Sequence, residues 1–222
     1  MINESKYQEI IRGLQASKVT LVAVSKTKPV ADIMALYDLG QKDFGENYVQ
    51  ELVEKQKQLP QDIRWHFIGH LQSNKVRSIA PFVHLIHGVD SLKLLKEIDR
   101  QAQKNGRVID VLLQVHIAKE ETKFGLDQQE LDTILSAFVD APLQHIRIRG
   151  LMGMATFADN PEQVHGEFIY LKKIFDACIL KYDNNGSFNI LSMGMSGDYE
   201  LALEAGSNMV RIGSLIFGDR ST

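Results

Sequence analysis

The chain holds one cysteine, Cys178, among 222 residues, so no disulfide can form within it. A reducing compartment is the natural reading, with Cys178 as buried filler inside the apolar-periodic stretch Phe168–Tyr182. No stretch reaches the ~18 uninterrupted apolar residues that a membrane span requires, and the start, Met1-Ile-Asn-Glu-Ser-Lys, lacks an apolar signal core. The expectation is a cytoplasmic protein with no membrane partner. Neither sign of charge is in excess: a net charge of -3 and a pI near 6.2 leave no footprint for nucleic acid or an anionic surface. Small-molecule or protein partners are favoured.

Proline is also scarce, at five residues, and no Pro- or Gly-rich linker or low-complexity tract divides the chain. One domain over residues 1–222 is expected, with Asn184-Asn-Gly-Ser187 as a turn before the seventh strand. Two motif classes are missing as well. His66, His70, His84, His87, His116, His145 and His165 show no HExxH or Cys/His spacing, so no metal is expected, and no Gly-x-Ser-x-Gly elbow marks a nucleophile.

What remains is ordinary globular material, 44% hydrophobic and 24% charged. Short apolar or β-branched runs predict eight strands: Val19–Ser25, Asp43–Gly45, Arg64–Ile68, His84–His87, Val108–His116, Ile146–Met152, Asn189–Met193 and Met209–Ile212. Helical spacing fills the intervals at Ala31–Leu39, Val49–Leu59, Ser73–Ile79, Leu92–Lys104, Gln128–Val139, Glu162–Tyr182 and Tyr199–Ala205. Gly40, Gly106 and Gly206 look like helix stops. Strict alternation implies parallel pairing, and this length suits a single (β/α)8 TIM barrel with an extra N-terminal helix over Glu4–Gln15. A doubly wound open sheet is the competing architecture.

In such a barrel, reactive groups sit at the carboxyl ends of the strands, and phosphate is commonly held after strands seven and eight. The first strand hands Lys26 to that end, where an amine can form an imine with an aldehyde. After strand seven comes Met193-Gly194-Met195-Ser196-Gly197-Asp198, whose Asp198 could cap the next helix and leave amides and the Ser196 hydroxyl for an anion. After strand eight, Gly213 and Ser214 repeat the pattern. Period-two counting sets Arg211 on the face of Met209, opposite Val210 and Ile212. A buried guanidinium needs an acceptor, and a salt bridge to Glu46 or Asp198 competes with ligand contact.

Six segments resemble the pyridoxal 5'-phosphate (PLP) homeostasis proteins, whose domain is similar to the barrel domain of alanine racemase. They are Ala23-Val-Ser-Lys-Thr-Lys-Pro29, Phe44-Gly-Glu-Asn-Tyr-Val-Gln50, Trp65-His-Phe-Ile-Gly69 with Leu71-Gln-Ser-Asn-Lys75, Gly150-Leu-Met-Gly153, Ser192-Met-Gly-Met-Ser196 and Val210-Arg-Ile-Gly213. The match runs from about Leu21 to Arg220. The resemblance implies a PLP-binding protein of intracellular homeostasis, concerned with binding, storage or delivery of the cofactor and acting indirectly on amino-acid metabolism. It implies that Lys26 carries PLP covalently as an aldimine, that Arg211 partners the pyridine nitrogen, that Ser196, Gly197, Gly213 and Ser214 hold the phosphate, and that Asn47 lies beside the ring. His116 and Gly88 depart from the pattern, where asparagine and serine are usual.

Imine formation needs a neutral amine, which desolvation and the charge of Arg211 or Lys28 favour. An arginine at the ring nitrogen leaves a poorer electron sink than an aspartate would. Racemisation needs a second base, which in alanine racemase comes from a further domain and partner subunit, and the chain ends at Thr222. These points favour a monomeric cofactor carrier with no catalytic residues, its recipients apo PLP-dependent enzymes. The rivals are a monomeric racemase or lyase using His66 or Tyr48 as second base, and a barrel enzyme for a phosphorylated metabolite without PLP.

Overall fold

The computed structural model describes residues 2–120, 124–158, 160–183 and 186–218. Asn184 and Asn185 of the expected turn, and residues 219–222 at the end of the expected domain and of the resemblance, lie outside the described residues.

Eight strands run in parallel and close in sequence order: β1 (Thr20–Val24), β2 (Asp43–Glu46), β3 (Arg64–Phe67), β4 (Leu85–Val89), β5 (Ile109–Gln114), β6 (Ile146–Met152), β7 (Ile190–Met195) and β8 (Met209–Ile212). The expected strands are all present, with ends displaced by at most two residues. Closure is set by β1 against β8, with Val22 opposite Arg211 and Ala23 opposite Ile212. That pairing excludes the open sheet.

The helices are α1 (Glu4–Ala16), α2 (Val30–Asp38), α3 (Val49–Gln58), α4 (Val76–Ile79), α5 (Leu92–Lys104), α6 (Gln128–Asp140), α7 (Pro161–Tyr182), α8 (Tyr199–Glu204) and α9 (Ser214–Phe217). Local chemistry explains their starts. Asn3, Ser91 and Asn160 each accept a backbone N–H from the first turn of α1, α5 and α7, and Asp127 with Glu130 forms a capping box on α6. Gly40, Gly106 and Gly206 follow helix ends with φ of 98°, 61° and 94°, the left-handed region that stops a helix. The helix expected over Ser73–Ile79 is divided into a 3-10 turn at Ser73–Lys75 and α4. The short α9 leaves no periodic signal and was not foreseen.

The two faces of the barrel wall pack differently. Leu21, Ala23, Phe44, Trp65, Phe67, Leu191, Met193, Val210 and Ile212 belong to the large core under the helices. Alternate residues Val22, Leu85, Leu112, Met152 and Met209 form a separate small cluster inside the barrel. Each fully buried large apolar side chain contributes ~1.5–3 kcal/mol, so the outer shell carries the stability and the interior has room for polar groups. Cys178 sits buried on α7, and burial pushes its thiol up to about 11. Among the described residues no helix is long and apolar enough to cross a membrane.

Candidate functional site

Parallel strands deliver all their carboxyl ends to one mouth, and Lys26 arrives there through a tight turn. Lys28 N–H donates to the Ser25 carbonyl at 3.0 Å, with Lys26 and Thr27 between them. Thr27 has φ +64°, which is unfavourable for a β-branched residue by ~1–3 kcal/mol. Hydrogen bonds hold the turn on both sides of Lys26. Glu51 Oε1 accepts the Thr27 N–H at 2.6 Å, Lys55 Nζ donates to the Ser25 carbonyl at 2.7 Å, and Ser25 Oγ donates to Glu46 Oε1 at 2.6 Å.

These bonds converge on Lys55, whose Nζ also meets Glu46 Oε1 at 2.7 Å and Glu51 Oε1 at 2.6 Å. Lys55 is 5% exposed and Glu46 fully buried. Burial pushes the Glu46 carboxyl up, and the Lys55 ammonium draws it back only in part. This Glu46–Glu51–Lys55 clamp fixes the backbone from which Lys26, half-buried, projects.

Arg211 is 3% exposed. Its Nη1 donates to Ser192 Oγ at 2.6 Å and its Nη2 to the Gly153 carbonyl at 3.0 Å. Glu46 is committed to the clamp, and Asp198 Oδ1 accepts the Met195 N–H at 2.6 Å; the salt bridge to either is replaced by neutral acceptors. Burial pushes the Arg211 guanidinium down to about 10, against the favourable charge of Asp198. It therefore stays charged near neutrality. A guanidinium has five N–H donors, so these two bonds leave donors for a ligand.

The two glycine-rich turns meet. Ser196 Oγ accepts the Gly213 N–H at 3.1 Å, tying the end of β7 to the end of β8. Gly213 lies against β1, where a side-chain carbon would meet the Val24 carbonyl at 3.1 Å. Gly197 and Ser214 are exposed beside them. The side chain of Asp198 does not cap α8 as foreseen; it braces the turn through Met195.

Asn47 follows β2 at the same mouth. Its Oδ1 is buried without a hydrogen-bond partner, a state that costs ~1–3 kcal/mol unless a ligand or an amide flip supplies a donor. The loop after β3 presses on it, because a side-chain carbon at Gly69 would stand 2.3 Å from the Asn47 carbonyl. Gly88 is packed in turn against Gly69, with only 2.8 Å from the position of an added carbon to the Gly69 carbonyl. His116, the other departure, contacts the Glu120 carbonyl at 3.0 Å.

The structure thus brings Lys26, Arg211, Ser196, Gly197, Gly213, Ser214 and Asn47 to one end of the barrel. An amine, an arginine, two hydroxyls beside glycines and an unpaired buried amide oxygen fit a phosphorylated aldehyde with an aromatic nitrogen. Sequence reasoning missed Ser25, Glu51 and Lys55, and also the polar interior of Asp43, His87 and Ser192. The available signals were the i,i+4 spacing of Glu51 and Lys55 and the outward phase of Glu46, which demands a buried cation.

The alanine racemase N-terminal domain model matches residues 4–221. A pyridoxal phosphate homeostasis protein of Aquifex aeolicus is 40% identical over 210 residues, covering 94% of this chain and 90% of that protein. One from Escherichia coli is 39% identical over 212 residues, covering 94% and 88%. PipY of Synechococcus elongatus, solved with PLP bound, superposes with a TM-score of 0.84 at 36% identity over 95% of this chain and 99% of PipY. An alanine racemase of Clostridium difficile shares the fold, with a TM-score of 0.75 at 15% identity, and the match covers 58% of it. With identity near 40% along almost the whole length of its relatives, the chain belongs to the pyridoxal phosphate homeostasis proteins, built on the barrel of the alanine racemase N-terminal domain family.

Proposed function

We propose that this protein binds pyridoxal 5'-phosphate at the carboxyl-terminal mouth of the barrel, carries it covalently through Lys26, and stores or delivers it. The observation that carries this reading is the placement of Lys26 in the turn after β1 and of Arg211 on the adjacent strand β8, beside the joined turns of Ser196 and Gly213. Relatives 38–40% identical are named pyridoxal phosphate homeostasis proteins, and PipY, 36% identical, was solved with PLP bound.

The aldehyde of PLP supplies the chemistry, condensing with an amine and releasing water. The chain's own residues position and shelter it. Lys26 would offer the amine from a clamped turn; Ser196, Gly197, Gly213 and Ser214 would receive the phosphate; Asn47 would line the ring. Arg211, charged and buried, would donate to the ring nitrogen, and an arginine there would leave the cofactor a weak electron sink. His66, one candidate for the second base of a racemase, has both ring nitrogens engaged, with Asp43 at 3.0 Å and His87 at 2.9 Å. These features favour holding PLP over using it. We place the carrier in the cytoplasm, as a monomer, with apo PLP-dependent enzymes as recipients.

Transfer is the test. The PLP-loaded protein is mixed with an apo-enzyme in the presence of a phosphatase that destroys free PLP, and recovered activity is followed. Recovery that needs the loaded protein supports delivery. Rapid amino-acid turnover by the loaded protein alone, abolished by Lys26→Ala, would overturn the carrier reading in favour of a racemase or lyase.

A further inference from the structure

Barrels of this kind usually fill their interior with layers of branched apolar side chains. Here the apolar plug is small, and a chain of buried polar groups runs past it. Arg211 Nη1 donates to Ser192 Oγ at 2.6 Å, and Ser192 Oγ lies 3.1 Å from His87 Nδ1. His87 Nε2 lies 2.9 Å from His66 Nδ1, and His66 Nε2 is 3.0 Å from Asp43 Oδ1. Asp43 opens β2 and Arg64 opens β3, so the chain ends at the amino-terminal mouth, opposite the cofactor site. There Arg64 Nε donates to Asp43 Oδ1 at 2.7 Å and Nη2 to Oδ2 at 2.5 Å. Arg211, Ser192, His87, His66 and Asp43 are all buried, and Arg64 is 48% exposed.

The order of donors and acceptors follows from one end. Burial would raise the Asp43 carboxyl, but its bonds from Arg64 and His66 prevail and hold it well below the ordinary carboxylate range. An ionised carboxylate only accepts, so His66 Nε2 carries a hydrogen. In that tautomer His66 Nδ1 accepts from His87 Nε2–H. Burial first, then the neighbouring charges, pushes the His87 imidazole well below its ordinary value, so it is neutral and accepts at Nδ1 from the Ser192 hydroxyl. The Ser192 lone pair is left for Arg211. Every donor points the same way, from guanidinium to carboxylate.

We propose that Asp43, His66, His87 and Ser192 are positioning residues for Arg211, fixing which guanidinium donors the protein engages and which face the cofactor ring. This rests on the reading of Lys26 and Arg211 as a PLP site. The charged or titratable groups around the chain are Asp43 on β2, Arg64 and His66 on β3, His84 ahead of β4 with its ring 5.4 Å from that of His66, His87 on β4, Asp110 on β5, Asp198 after β7 and Arg211 on β8. Ligand atoms of Asp43, His66 and His84 lie within 4.8 Å of one another. However, both Asp43 oxygens already accept from Arg64 or His66, and the adjacent guanidinium opposes a second cation.

Two measurements test the proposal. In the first, the visible absorption of bound PLP is titrated between about pH 5 and 8, the range in which histidines change charge, for the wild type, Asp43→Asn, Arg64→Met, Ser192→Ala and Ser192→Thr. Asp43→Asn and Ser192→Ala should displace the absorption profile and weaken PLP binding about tenfold, the worth of one hydrogen bond to a charged group. Arg64→Met, which removes one partner of the Asp43 carboxylate but leaves His66 its acceptor, should bind PLP like the wild type near neutral pH, and Ser192→Thr should restore the hydroxyl. Equal effects of Asp43→Asn and Arg64→Met, or a profile unmoved by Ser192→Ala, would overturn the proposal. In the second, nitrogen NMR of the unsubstituted protein reads the imidazole tautomers, expected as Nε2–H for both His66 and His87 at neutral pH. Either ring protonated at Nδ1 refutes the chain even if the variants fail to fold. A wild type that binds no PLP, with the tautomers as expected, would refute the PLP reading and with it the role of the chain toward a cofactor.

Discussion

Lys55→Met removes the cation of the clamp while keeping an unbranched side chain of similar length. Glu46 is fully buried and Lys55 nearly so, and breaking such a pair by deleting one partner costs about 3–5 kcal/mol because the remaining charge is stranded. The folded protein can escape by protonating Glu46, which sets a ceiling on that part of the loss. For a carboxyl with an unfolded value near ~4.3, taking up a proton costs about 3.7 kcal/mol at pH 7 and about 1 kcal/mol at pH 5, at ~1.36 kcal/mol per unit. The sign follows from the direction of the shift. Burial raises Glu46 in the folded state, and deleting Lys55 raises it further, so the folded variant is favoured at low pH and loses stability as pH rises. Urea unfolding followed by fluorescence of the only tryptophan, Trp65, 2% exposed, should show a deficit of about 3–4 kcal/mol at pH 7 that falls by ~2–3 kcal/mol at pH 5. Glu46→Gln in the same chain should recover most of it. A deficit below ~1 kcal/mol at pH 7, or one independent of pH, would refute the stranded-carboxylate argument.

Gly69→Ala should shift Asn47, since the added carbon would fall 2.3 Å from its carbonyl; a destabilisation of ~1–3 kcal/mol and weaker PLP binding are expected, read by urea unfolding and spectral titration. Cys178, buried with its thiol pushed up to about 11, should resist iodoacetamide at about pH 8 in the folded protein and react promptly once unfolded, because the thiolate is the nucleophile. Rapid alkylation of folded protein would contradict its place in the core.

The features legible in the sequence are those governed by period and strand ends. The alternation of Met209 and Arg211 against Val210 and Ile212 separated the two faces of β8, and the structure puts Met209 in the barrel interior and Val210 and Ile212 in the core under the helices. Lys26 and the two glycine-rich turns were legible because a parallel barrel sends every strand end to one mouth. Alternation gives a face but not the neighbour across the barrel. Arg211 therefore suggested Glu46 or Asp198 as acceptor, whereas the protein supplies Ser192 and the Gly153 carbonyl. Thr27 was illegible for a different reason: a β-branched residue argues against φ +64°, and only tertiary bonds from Glu51 and Lys55 make that turn tolerable. The histidines of β3 and β4 lacked metal spacing in sequence and proved to be linked across neighbouring strands, a relation that single-chain spacing does not encode.

The central claim is that Lys26 holds the cofactor, and reductive trapping tests it most directly. The protein loaded with PLP is treated with borohydride, digested, and its modified peptide sequenced by mass spectrometry. One phosphopyridoxyl group on Lys26, absent from Lys26→Ala, is the expected result; no modification, or trapping on Lys28 or Lys55 instead, would contradict the account.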